Sequence, residues 1–129
     1  MTYEQAIHGA QALQLTPQAR KRLLSAMEEV ATIWVSPSHV LARLNGGCRI
    51  RWECGVERVT MAFHATGTLR VRHRINFAPV MERFFDADYE GSVLAGWKPP
   101  LWLLVEAQAD DSKQSAPVVK QKAVEKRKR

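Results

Sequence analysis

The stretch Cys48–Phe77, CRIRWECGVERVTMAFHATGTLRVRHRINF, alternates apolar and polar residues through three successive runs. Cys48, Ile50, Trp52 and Cys54 alternate with Arg49, Arg51 and Glu53. Val59, Met61 and Phe63 alternate with Arg58, Thr60, Ala62 and His64; Leu69, Val71, His73, Ile75 and Phe77 alternate with Arg70, Arg72, Arg74 and Asn76. Successive side chains of a strand point to opposite faces, so the pattern predicts an antiparallel three-stranded meander with one buried and one solvated face.

Loop length tests this reading, because a one-residue slip would set the apolar side of one strand beside the polar side of the next. A two-residue loop Gly55-Val56 keeps the faces matched and places Glu53 opposite Arg58, Arg51 opposite Thr60 and Arg49 opposite Ala62. Glycine in the first loop position suits a type II′ turn. For the second connection a two-residue loop mismatches the faces, whereas Ala65-Thr66-Gly67 matches them, with Gly67 in the left-handed position of a bulged hairpin. The polar face then carries the rows Arg49-Ala62-Arg70, Arg51-Thr60-Arg72 and Glu53-Arg58-Arg74, with His64 on the same side.

Six arginines and one glutamate on one sheet face are mutually repulsive, by ~0.2–1 kcal/mol for each like-charged neighbouring pair. Guanidinium groups present a flat fork that matches phosphate oxygens, so a polyanion is the expected compensation. Small Ala62 and Thr60 leave a shallow trough in the middle strand, with Arg51 and Arg72 flanking Thr60 as the expected principal contacts. The alternatives are a solvated face, an acidic protein partner, or neutralisation within the chain by Glu82, Asp86, Asp88 and Glu90. Trp52, Phe63 and Phe77 fall on the apolar side, which leaves the arginine face without platforms for unstacked bases and favours duplex or structured nucleic acid.

Around this centre the chain predicts an α+β domain: N-terminal helices packed on a sheet of three to four antiparallel strands, with a further helix before the last strand. Thr2-Tyr3-Glu4-Gln5 has capping-box spacing and opens a helix expected to end near Leu15. Thr16-Pro17 starts a second, whose Leu23, Met27, Val30 and Trp34 form the stripe that covers the sheet. Arg20, Lys21 and Arg22 read as its solvated face, or as an extension of the basic surface. Ser36-Pro37-Ser38 precedes a short helix from His39 to Leu44, closed by Asn45-Gly46-Gly47. A winged-helix arrangement with Val59–Ile75 as the wing is the alternative topology. Pro79 is expected to open a helix through Val80, Met81, Phe84 and Phe85, and the apolar run Leu101–Val105 a fourth strand beside the meander.

At 129 residues the expectation is one domain, 1–107, followed by a disordered basic tail, 108–129. Seven basic residues against three acidic ones give that tail +4 and leave +2 of the +6 total to the body. Lys120, Lys122, Lys126, Arg127, Lys128 and Arg129 would add contacts to a polyanion that carry little sequence preference.

Neither a secretory leader nor an apolar membrane span is visible, so a cytoplasmic protein without membrane contact is expected. Cys48 and Cys54 lie ~20 Å apart along one strand, which implies buried, reduced thiols rather than a disulfide or zinc site. Asp86-Ala87-Asp88-Tyr89-Glu90-Gly91 resembles the opening of a calcium loop, but Trp97 stands where the closing glutamate belongs. No cofactor motif, paired carboxylates, Ser-His or Cys-His constellation marks an enzyme. The sequence therefore points to a small nucleic-acid-binding protein; the other reading is a protein adaptor or inhibitor, of the kind mobile elements encode, docking an acidic surface. Oligomeric state stays open, a homo-oligomer included.

Overall fold

The computed structural model describes residues 1–43 and 45–108. Two helices, α1 (Tyr3–Gln11) and α2 (Pro17–Val30), precede five strands: β1 (His39–Arg43), β2 (Gly47–Cys54), β3 (Glu57–Phe63), β4 (Leu69–Ile75) and β5 (Ala78–Phe85). The strands form one antiparallel sheet in chain order, β1-β2-β3-β4-β5. The α+β class stands, with five strands rather than three to four.

Both helix starts follow the capping chemistry. Thr2 Oγ1 accepts from the Gln5 amide at 3.0 Å while the Gln5 side chain accepts from the Thr2 amide at 2.9 Å. Thr16 caps α2 by accepting from the Ala19 amide at 3.1 Å, ahead of Pro17. The first helix stops at Gln11, short of Leu15, and Gln14 takes a left-handed φ of 59° between the two helices. On α2, Ala19, Leu23, Ala26, Met27 and Val30 are buried in one core with Ile50, Trp52, Val59, Met61, Phe63 and Val71 of the sheet. Arg22 departs from the expected solvated face. It sits three residues after Ala19, within the buried stripe, and donates to the carbonyls of Gly67 at 3.2 Å and Asp86 at 2.6 Å.

The central register is the one that the two loops require. Arg51 pairs with Thr60, Glu53 with Arg58, Thr60 with Arg72 and Ala62 with Arg70. Gly55 carries a positive φ of 61° and Val56 does not, as a type II′ turn requires. Gly67, at φ 94°, holds the left-handed position of the second hairpin.

Three flanking segments differ from expectation. Residues 39–43 form strand β1, because five residues cannot nucleate an isolated helix, whereas pairing with the open edge of β2 satisfies their backbone. The segment after Phe77 is strand β5 rather than a helix: Asn76 and Phe77, at φ 52° and 70°, make a two-residue turn that returns the chain along β4. A register shift opposite His73/Arg74 interrupts the alternation near the start of β5, so Pro79 pairs with Arg74 on the arginine side as Glu82 and Phe84 do with Arg72 and Arg70, while Met81 and Phe85, four residues apart, pair with His73 and Leu69 on the core side. In sequence that spacing imitates a helical stripe. Leu101–Leu103 forms a 3-10 turn and Leu104 makes a single bridge with Trp34, instead of adding a strand to the meander. Both edges it could have joined are occupied by β1 and β5.

The turn also moves Phe77 out of the core, to 73% exposure. Cys54, at the tip of the first hairpin, is exposed rather than buried; Cys48 is buried, which pushes its thiol up to about 11. The core closes on three indoles, with Trp34 edge-on to Trp52 at 5.0 Å and to Trp97 at 5.7 Å. No helix among the described residues is long and apolar enough to cross a membrane.

Candidate nucleic-acid interface

The face of the sheet turned away from α2 carries Arg49, Arg51, Arg58, Arg70, Arg72 and Arg74 together, brought there by alternation along β2, β3 and β4. Strand β1 adds a seventh, Arg43, which joins the other six around Thr60 and Ala62. These two small residues form the floor of a shallow trough walled by guanidinium groups, as their size implies.

Two carboxylates stand among the seven guanidiniums. Glu53 lies 3.1 Å from Arg58, 3.5 Å from Arg51 and 3.0 Å from His39. Glu82, on β5, accepts from Arg72 Nε at 2.8 Å and lies 3.5 Å from Arg70; the Arg72 hydrogen bond holds its carboxyl below the usual range. Of the four acids that could neutralise this face, Glu82 reaches it. Among the described residues, Asp86, Asp88 and Glu90 make no ion pair with these arginines. Seven arginines against two carboxylates leave a formal excess of five positive charges.

Among the described residues, Arg43, Arg49 and Arg74 have no carboxylate within ion-pair distance, and the Nε atoms of Arg49, Arg51, Arg70 and Arg74 are occluded without an acceptor. An unpaired buried donor costs the free energy of its lost water. Arg51 and Arg72 do flank Thr60, but each is already engaged by a glutamate, which moves the unmet positive charge to Arg43, Arg49 and Arg74.

At one end the trough opens into a depression of ≈ 780 Å³ bordered by Arg43, Arg49, His64, Thr66, Thr68 and Phe84. His64 is held below its ordinary pKa first by burial and then by Arg43 and Arg70, and its Nε2 has no partner. Phe84 is 61% exposed with the Arg70 guanidinium 5.2 Å from its ring centroid; Phe77, at the opposite end, has Arg58 at 5.4 Å. The expectation that this face lacks aromatic platforms therefore fails. Phe84 reaches this face because a strand stands where a helix from Pro79 is expected, and Phe77 because β4 ends at Ile75 and the chain turns. Asn76 in a two-residue link between alternating runs was the available signal. Arg43 joins the face for the same kind of reason, on a strand where a helix is expected.

Lys120, Lys122, Lys126, Arg127, Lys128 and Arg129 lie outside the described residues. Among those described, no three His, Cys, Asp or Glu side chains gather as a metal site would require. No protein-family model matches the chain, and no curated protein or solved structure matches it.

Proposed function

We propose that the protein binds nucleic acid, with the arginine face of the sheet seated on the sugar-phosphate backbone and the lysine-rich C-terminal segment adding sequence-independent attraction. The observation that carries this reading is the seven-to-two ratio of guanidinium to carboxylate on one face, with Arg43, Arg49 and Arg74 unpaired among the described residues. Phosphate supplies what those groups lack: negative charge and several acceptor oxygens in the plane of each fork.

Oligonucleotide binding by Arg49→Gln and Arg74→Gln tests it across a range of salt. Each substitution should weaken affinity and flatten the slope of log affinity against log salt by about 0.7 to 0.9, the contribution of one phosphate contact. Arg58→Gln serves as the control, because Glu53 already screens Arg58 at 3.1 Å, and its effect should be smaller. Unchanged slopes for Arg49 and Arg74 would reject the reading; capture by an acidic protein without nucleic-acid binding would replace it with the adaptor reading.

A further inference from the structure

The two exposed phenylalanines say which form of nucleic acid the face accepts, an inference that rests on the reading above. Phe84 stands opposite Arg70, near the start of β4, and Phe77 lies just past the strand's end. Arg70, Arg72 and Arg74 lie on β4 between them, the first and last roughly 13 Å apart at the rise of a strand. A row of phosphate-binding groups thus has an aromatic ring at each end.

Neither ring is explained by the fold. At 61% and 73% exposure, Phe84 and Phe77 contribute little to the core and oppose solubility. Phe77 is also in the wrong conformation for its residue type. It occupies the second position of a two-residue turn at φ 70°, where glycine is free of strain and a bulky side chain is not. A strained, exposed aromatic at such a turn points to contact with something outside the chain. Arg58 and Arg70 each lie over one side of a ring, which orients it and sets a phosphate-binding fork beside it.

We propose that this face takes single-stranded nucleic acid, with bases stacked on Phe84 and Phe77 and the intervening phosphates held by Arg49 of β2 and the arginines of β4. Duplex bases are stacked on one another inside the helix and cannot reach either ring; bases of a single strand can. The depression beside Phe84 has room for a base turned out of the strand. Neither stacking nor phosphate pairing reads the sugar, so deoxyribose and ribose strands bind alike.

The test uses the full chain with oligothymidylate and oligouridylate of about sixteen nucleotides, a duplex of equal length, and heparin as a polyanion without bases. Phe84→Ala and Phe77→Gly should each weaken single-strand binding roughly 5- to 100-fold while leaving heparin retention and the salt slope unchanged. Phe84→Trp should restore binding. Phe77→Gly should raise the melting temperature, so its binding defect cannot come from misfolding. If the double variant Phe84→Ala/Phe77→Gly keeps single-strand affinity within about twofold while Arg49→Gln and Arg74→Gln still weaken it, stacking is overturned and the phosphate reading survives. Duplex binding tighter than single-strand binding likewise overturns stacking and leaves the phosphate reading in place. Retention on heparin with no binding to either form overturns both.

Discussion

His64 stands on the rim of the arginine trough with its imidazole biased toward the neutral form, first by burial and then by Arg43 and Arg70. Its folded pKa lies below the ordinary 6.5, so near that pH the unfolded chain binds more protons. The stability that follows is present above pH 6.5 and is lost as pH falls through the folded value. Phosphate on Arg43 and Arg70 would offset two of the depressing charges and raise the imidazole pKa again. Binding should then take up a proton, and affinity should rise as pH falls below about 6.5. His64→Gln should flatten that rise while leaving affinity at about pH 8 nearly unchanged. Titrations of the wild type and variant at matched ionic strength measure it, and a rise of equal size in both would assign the proton to another group.

At the scale of elements, what holds the helices to the sheet is a short set of directed contacts laid over apolar packing. Tyr3 on α1 donates to the Val35 carbonyl at 2.9 Å, beyond α2, while the Trp52 indole on β2 donates to the same oxygen at 2.9 Å. Burial pushes the Tyr3 phenol up to about 12, so it remains a donor through the neutral range. Tyr3→Phe should cost about 0.5–1.5 kcal/mol, the net value of one hydrogen bond, because Val35 keeps Trp52 as its donor. Urea unfolding should show the lower midpoint with an unchanged m-value. Nucleic-acid affinity should not move, since α1 lies on the opposite side of the sheet from the arginines. On α2, Arg22 makes the corresponding link to Gly67 and Asp86, tying the helix to the loop between β3 and β4 and to the segment leaving β5.

At the scale of the whole molecule, the basic surface has two parts of different character: arginines placed on a rigid sheet, and a C-terminal segment in which lysines predominate. Truncation after Gln108 should leave the melting temperature unchanged, because the segment removed contains few apolar residues, and should lower the salt at which heparin releases the protein. A fall in melting temperature would show that the segment packs on the domain. Strict alternation from Cys48 to Ile75, combined with loop lengths of two and three, was enough on its own to determine the three central strands, their register and the arginine side. These are discrete conditions of parity, and a shift of one residue breaks them visibly. Residues 39–43 and 78–85 meet no such condition; each is short, and each has apolar residues compatible with either helix or strand. Only the open edges of β2 and β4, which exist once the centre has folded, make strands of them. That choice brings Arg43, Glu82, Phe84 and the exposed Phe77 to the arginine face, and so tertiary structure decided which arginines are paired and whether a base has a ring to stack on.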